Sequence, residues 1–310
     1  MNRTGTLLAV AAAIVWSATS PGLSYLLEVY RVPALTLALW RDAFIAVVSL
    51  AAIGLVARLR GEPLPRISRA DWRGFAAMGV VSIGIYHALF VYSVALNGAA
   101  LAIVLIYLYP AFVTLGAALV FKERVSAQQI AALALAVLGC ALLVRAYDPA
   151  VLRVSWLGVL VGVASAMTHA GYVLYSQRSV TRHSPFLSLA LSMLFGTITL
   201  FVLTLALTGP ASLLAVGPGL TPWVMLAALA LGPTLVGYVL FTTSLRHIPG
   251  RIASLIVVIE APIATLTAVL LLGERIDPPQ AAGMALVLAA AVLPGLRLSR
   301  RGAAVAQAGD

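Results

Sequence analysis

Apolar runs recur from end to end of the chain, broken only by short stretches rich in Arg, Pro, Gly and Asn. A helix needs about 20 predominantly apolar residues to cross a hydrocarbon core of about 30 Å. The runs predict ten such helices, at 6–28, 33–57, 74–96, 99–121, 127–145, 155–177, 184–207, 222–245, 250–272 and 278–297. Asn97-Gly98 alone joins the third and fourth runs, and Ile248-Pro249 does similar work between the eighth and ninth. Links this short force neighbouring helices antiparallel. The longer connectors are 58–73, rich in Arg and Pro, and 208–221, with Gly and Pro but no charge. Arg3 followed by Leu7 to Trp16 has the outline of a secretory leader. The apolar stretch continues to about Leu27, however, and similar runs follow it, so it is read as the first span. The pattern is that of an all-α membrane protein.

The two halves resemble each other. A shift of 151 residues lays Lys122-Glu123-Arg124-Val125 on Gly273-Glu274-Arg275-Ile276. The same shift pairs Ala102 with Ala253, Thr114 with Thr265, Leu119 with Leu270, Gln129 with Gln280 and Phe90 with Phe241, while 152 pairs Pro33 with Pro185. Chance matches are common in apolar sequence, so the polar and proline matches carry the weight. Five helices per half make the second copy cross from the opposite side. The predicted architecture is two inverted five-helix repeats, 6–145 and 155–297, followed by a cytoplasmic tail at 298–310. In such folds the substrate binds near the midplane, between the halves.

Composition agrees. The chain is 62% hydrophobic and 10% charged, with a mean hydropathy of +1.05, too few charges to coat a globule in water. The net charge of +10 comes from nineteen arginines and the single Lys122, scattered in small clusters. They form no stripe and no aromatic-interleaved patch, so nucleic acid is not the partner. They sort by side of the membrane instead. With a cytoplasmic N-terminus, the inside receives Arg3, the five arginines from Arg58 to Arg73, Lys122, Arg124, Arg178, Arg182, Arg246, Arg251, Arg297, Arg300 and Arg301. The outside receives only Arg31, Arg145, Arg153 and Arg275. That bias predicts both termini inside, in a bacterial inner membrane. The one cysteine, Cys140, forms no intrachain disulfide and reads as a small packing residue.

The stretch Tyr86-His87-Ala88-Leu89-Phe90 through Pro110 to Glu123-Arg124, then Gln129 to Gly139, resembles the repeat of EamA-type members of the drug/metabolite transporter superfamily. Gly237-Tyr238-Val239-Leu240-Phe241 through Glu260 to Gly273-Glu274-Arg275 resembles the second copy, and Arg41 matches an arginine frequent in the family's second span. The resemblance covers roughly 5–297 and is greatest to YddG-like amino-acid exporters. It implies export of small metabolites by alternating access, with helices 5 and 10 peripheral. One departure concerns the ninth span, where the family often has proline directly after the glutamate. Here the order is Glu260-Ala261-Pro262, which predicts a helix break one residue later.

Tyr and Trp normally gather at membrane interfaces, so aromatics at mid-depth stand out. Trp16, Tyr86, Tyr109, His169 with Tyr172 one turn away, and Tyr238 all fall near the centres of their spans. The repeat pairs His87 with Tyr238 and Tyr109 with Glu260. Taken together they read as a substrate-binding lining; singly, each also fits a packed, hydrogen-bonded core position. Tyr107 joins the set beside Pro110, a residue that bends the fourth span. Glu260 is the one acid near the middle of a span, where a charged acid costs roughly 2.5–3.5 kcal/mol. It is a proton site, an anchor for a substrate ammonium, or a clamp between helices. Arg41 and Asp42 project about 100° apart and are not expected to pair with each other. Arg41 is a candidate anion anchor, for a substrate carboxylate or Glu260, or a snorkelling structural residue. His87 and His169 are candidates for titration near neutrality. Glu123-Arg124 and Glu274-Arg275 read as interfacial caps or salt-bridged turns. Ala132, Ala136, Gly139 and Gly283 suit close packing of helices 5 and 10, within the chain or in a weak homodimer.

No metalloprotease helix, paired intramembrane aspartates, Cys–His cluster or phosphate loop is present, so an enzyme is disfavoured and no cofactor or metal is expected. A channel would want rings of charge or carbonyls. The chain reads as a secondary transporter of small amphipathic metabolites, amino acids with aromatic or apolar side chains foremost, with other metabolites or drugs as the alternative.

Overall fold

The computed structural model describes residues 2–150, 152, 154–272 and 276–307, and among these it is helical with no strands. The first half opens with α1 (Arg3–Ser17), capped by the Asn2 side chain, and α2 (Thr19–Glu28), separated from it at Ala18. Next comes α3 (Ala34–Arg60), ended by Gly61 in the left-handed conformation at φ 64°. After the Arg/Pro loop, α4 (Arg69–Gly79) passes through a π turn at Val80–Ile85 into α5 (Tyr86–Ile106). At Gly98, φ 78° and ψ 164° reverse the chain, a conformation open to glycine. Asn97-Gly98 is therefore the interhelical link the sequence predicts. Following Tyr107-Leu108, α6 (Tyr109–Val120) and α7 (Ala127–Leu143) complete the half.

The second half repeats this order with α8 (Trp156–Ser179), α9 (Pro185–Thr208), α10 (Thr221–Leu229), a π turn at Ala230–Thr234, and α11 (Leu235–Ser244). It closes with α12 (Gly250–Val257), α13 (Glu260–Leu272) and α14 (Pro278–Gln307). The irregularities repeat too. Tyr107-Leu108 breaks α5 from α6, and Val258-Ile259 breaks α12 from α13 at the position set by the 151-residue shift. The π turns occupy matching places. Ser126 and Gln129 cap α7 reciprocally, and at the same shift Asp277 N–H donates to Gln280 Oε1 at 3.1 Å.

Proline explains the breaks. Its ring has no N–H and clashes with the carbonyl four residues back. For Pro110 and Pro262 those carbonyls belong to Ile106 and Val258, where the helices stop. The expected one-residue delay in the ninth span is thus not seen, because α12 ends before Glu260 in the same register as α5 before Tyr109. In the second π turn, Pro233 deprives the Leu229 carbonyl of its regular donor, and the Thr234 hydroxyl fills the gap at 2.9 Å.

Among the described residues, seven helical runs are long and apolar enough to cross a membrane: 34–60, 69–98, 100–120, 156–179, 185–208, 221–244 and 250–267. Three further apolar helices are shorter, Arg3–Ser17, Ala127–Leu143 and Pro278–Leu293, and they fall on the first, fifth and tenth predicted spans. The backbone of α14 continues past 297 to Gln307, into the expected tail. Arg153, Glu274 and Arg275, and the last three positions of that tail, lie outside the described residues.

The halves interlock. α1 packs on α11 and α8 on α5, so the first helix of each half lies against the third span of the other, while α3 pairs with α9 and α7 with α14. Gly139 and Gly283 are the closest approach of the last pair: a Cβ on either would lie within 2.7 Å of the other's carbonyl oxygen. Small residues at the fifth and tenth helices therefore serve packing within the chain. One end of the bundle gathers the start of α1, the starts of α4 and α12 and the ends of α6, α8 and α11. There Gly5 touches His247, Arg246 donates to the carbonyls of Val180 and His183, and His183 meets Asp71 at 3.3 Å. This is the basic end. At the opposite end, the loop after α9 covers α3, with Thr36 and Trp40 donating to the carbonyls of Ser212 and Leu213.

Candidate functional site

Both π turns lead directly into the residues singled out at mid-depth. Trp16 stands beside the break after α1, and its ring meets Tyr238 edge-on at 5.0 Å and Phe241 at 5.5 Å. Its Nε1 donates to the Thr234 carbonyl at 3.4 Å. Gly237 makes this approach possible, since a Cβ there would lie 2.4 Å from Trp16 Cδ1. In the other half His169 on α8 takes the matching role. It lies 4.5 Å from Tyr86, 4.7 Å edge-on from Tyr109 and 6.1 Å from Tyr172. Tyr172 completes the circuit to Tyr238 at 5.5 Å, and Tyr86 packs on His87 at 4.6 Å. The structure thus brings Trp16, Tyr86, His87, Tyr109, His169, Tyr172 and Tyr238 into one aromatic cluster drawn from both halves. The rings touch each other, and edge-to-face pairs of this kind contribute about 0.5–1.5 kcal/mol each. Two hydroxyls are satisfied across the cluster, Tyr109 by the Ser254 carbonyl at 3.2 Å and Tyr172 by Thr242 Oγ1 at 2.8 Å. His169 Nδ1 and, one turn earlier, Ser165 Oγ are buried without a described partner.

Glu260 is the first residue of α13, the end of the helix whose dipole favours a carboxylate. The hydroxyl of Tyr107, at the matching break in the first half, donates to its Oε1 at 3.3 Å. That bond spans the two halves. The carboxylate also lies within electrostatic reach of Tyr86 and Tyr109. Tyr107 sits toward the α7–α14 packing and joins the cluster from its margin.

Arg41, Asp42 and His87 form a closed network on the other flank. Arg41 Nε donates to Asp42 Oδ1 at 3.3 Å, Arg41 Nη2 to His87 Nε2 at 2.7 Å, and His87 Nδ1 to Asp42 Oδ2 at 3.0 Å. This corrects the expectation that Arg41 and Asp42 do not pair. Their Cβ directions diverge, but the long arginine side chain folds back, and both meet a third partner on α5. Asp42 is the functional candidate the sequence reading passed over; the sign was an acid and an arginine placed side by side within an apolar run. Arg41 lies within reach of Tyr86 and Tyr238, not of a bond to Glu260.

At the basic end Glu123 is not a local cap. It forms an ion pair with Arg251 of the other half and accepts from Gln177 Nε2 at 3.5 Å, while Gln177 Oε1 accepts from Gly250 N–H at 2.6 Å. A separate cavity of about 230 Å³ lies against α3, lined by Ala52, Ile53, Val56, Glu62, Pro63 and Phe186 among others. It lacks converging polar groups and lies away from the aromatic cluster.

Comparison with known proteins follows the same two-part division. The profile of the EamA-like transporter family matches residues 3–145 and again 156–295. An uncharacterized inner membrane transporter of Salmonella typhimurium, YicL, is 24% identical over 97% of this chain and 98% of its own length. An uncharacterized transporter of Archaeoglobus fulgidus is 24% identical over 63% of this chain, a match spanning 66% of the archaeal protein. A solved crystal structure superposes with a TM-score of 0.79 over 97% of this chain and 99% of that one, at 20% identity, which establishes a shared fold. The chain belongs to the EamA-like transporter family and is a multi-pass membrane transporter built from two EamA repeats.

Proposed function

We propose that this protein exports amino acids with aromatic or apolar side chains across the bacterial inner membrane by alternating access. One observation carries the substrate class. A cluster of aromatic rings is flanked by a guanidinium from the first half, Arg41, and a carboxylate from the second, Glu260. A zwitterionic head would place its carboxylate on Arg41 and its ammonium near Glu260, and the rings would take the side chain. The ten-crossing, inverted arrangement is supported by the repeated π turns and breaks. The three short apolar helices serve as the remaining crossings, α7 alone reaching about 25 Å at 1.5 Å per residue. Both termini are then cytoplasmic, and the basic end is the inner one. The test is counterflow in liposomes reconstituted with the purified protein and loaded in turn with each amino acid. Saturable uptake of labelled phenylalanine or leucine is expected, competed by other apolar amino acids. Flux that never saturates, or none with any amino acid, overturns the reading.

A further inference from the structure

We infer that His87 is a proton-binding site coupled to capture of a carboxylate by Arg41, with Asp42 as the positioning residue that holds the imidazole in one tautomer. The inference rests on the reading of Arg41 as the carboxylate anchor. Its basis is the hydrogen-bond count around the ring. A guanidinium only donates and an ionised carboxylate only accepts. Arg41 Nη2 at 2.7 Å from His87 Nε2 therefore needs a bare nitrogen there, and Asp42 Oδ2 at 3.0 Å from Nδ1 needs an N–H there. These distances fit neutral imidazole protonated on Nδ1, with Arg41 Nη2 also 3.5 Å from Nδ1.

Adding a proton to Nε2 sets two cationic donors face to face at a distance suited to one hydrogen. The Nη2 contact must then open, while the Nδ1–H bond to Asp42 remains. Arg41 need not leave the site, because its Nε still donates to Asp42 Oδ1 at 3.3 Å. Pivoting about that bond frees the Nη edge of the guanidinium, which suits two-point recognition of a carboxylate. The reverse also holds. A carboxylate that draws Nη2 away leaves Nε2 as an acceptor facing no described donor, and a proton taken from solvent forms the missing N–H bond. Asp42 is wholly buried, whereas the Arg41 side chain keeps 11% exposure.

Charge balance favours the doubly loaded state. With Glu260 ionised, Arg41, Asp42 and Glu260 together carry one negative charge in excess. A zwitterion adds nothing, and the proton on His87 brings the site to neutrality. The surrounding groups offer no other base beside Nε2. Among titratable groups on the described elements packed against α5, α3 supplies Arg41 and Asp42 at this depth, α8 supplies His169, Tyr172, Tyr175 and, in its last turn, Arg178, and α7 only Cys140; α9 and the adjoining π turn supply none. His169 packs on Tyr86, and Tyr238 and Glu260 approach from the second half.

The experiment has a substrate-independent arm and a transport arm. In protein labelled with ¹⁵N-histidine in nanodiscs, His87 should give the Nδ1–H neutral signature at alkaline pH, and both nitrogens should become protonated when benzoate is added at lower pH. Asp42→Asn should mix the two neutral tautomers. In liposomes, half-saturation by phenylalanine should improve about tenfold per pH unit through the titrating range, as one linked proton requires. Phenethylamine, which lacks the carboxylate, should show no such slope, and His87→Gln should abolish it. An imidazole that stays neutral with benzoate present, or equal slopes for phenylalanine and phenethylamine, overturns the inference. Absence of phenylalanine exchange together with benzoate-linked protonation would instead reject the amino-acid reading and retain the coupled site.

Discussion

Glu260 shows how one residue can be both costly and useful. A carboxylate at mid-depth is disfavoured, yet the break at Val258-Ile259 places it at the helix end that the dipole favours, and Tyr107 supplies a hydroxyl. Only Oε1 is engaged, which leaves Oε2 for an ammonium. Glu260→Gln keeps the shape and removes the charge. A charge-assisted hydrogen bond contributes about 1.5–3 kcal/mol, so half-saturation by phenylalanine should rise by roughly tenfold to a hundredfold. The tenfold-per-unit slope belongs to His87 and should persist, displaced to lower pH because the charge that balances its proton is gone. Hydrocinnamate, the analogue without an ammonium, should bind both proteins alike. Equal loss for the two ligands would make Glu260 a clamp between helices and not an anchor. Residues of this kind were legible in the sequence because a polar group in an apolar run is conspicuous. Their partners were not, since the Arg41–Asp42–His87 network joins positions about 45 apart and depends on how α3 meets α5.

At the level of elements, the irregular backbone matters more than the regular. Each half has a third span with a π turn and a fourth span broken in two, and the cluster is assembled at those places. The sequence disclosed the seven long apolar runs, the Asn97-Gly98 link and the proline-associated breaks, because length, apolarity and proline are local signals. It did not disclose the π turns, whose extra residue per turn shifts side chains without a compositional mark in the first half. Nor did it show that α1 and α8 cross over to pack on the other half. Gly237 tests this packing. Alanine there places Cβ 2.4 Å from the Trp16 ring, so Gly237→Ala should displace Trp16, with overpacking costing about 1–3 kcal/mol. Gly232, five residues earlier with nothing within 4 Å of its Cβ position, is the control. Thermal unfolding in detergent should drop for Gly237→Ala and hold for Gly232→Ala. The reverse order would mean that Trp16 does not seat on α11 as described.

For the molecule as a whole, the contacts between the two halves at the basic end define a closed gate. At the basic end α6 and α12 pack together, and α6 also packs on α8. At the opposite end α13 packs on α1 and, more slightly, on α2 among the described residues. The basic end, inner in the proposed orientation, is thus closed by contacts between the halves. The Glu123–Arg251 pair, braced by Gln177, ties the closed end across the halves. The lock is one-sided in sequence, because Ala100 stands 151 residues before Arg251. Both charged side chains are about one-fifth exposed, so solvent screening limits the pair to about 1 kcal/mol. That is still enough to shift a two-state population roughly fivefold. Glu123→Gln should therefore favour opening at the inner end. In a Cys140→Ala background, a cysteine replacing the buried Ser254 on α12 should react several-fold faster with an impermeant maleimide applied from the inner face once Glu123 is neutralised. Exchanging the charges, Glu123→Arg with Arg251→Glu, should slow the reaction again. Labelling that ignores both changes would leave the ion pair as a surface contact with no part in the alternation.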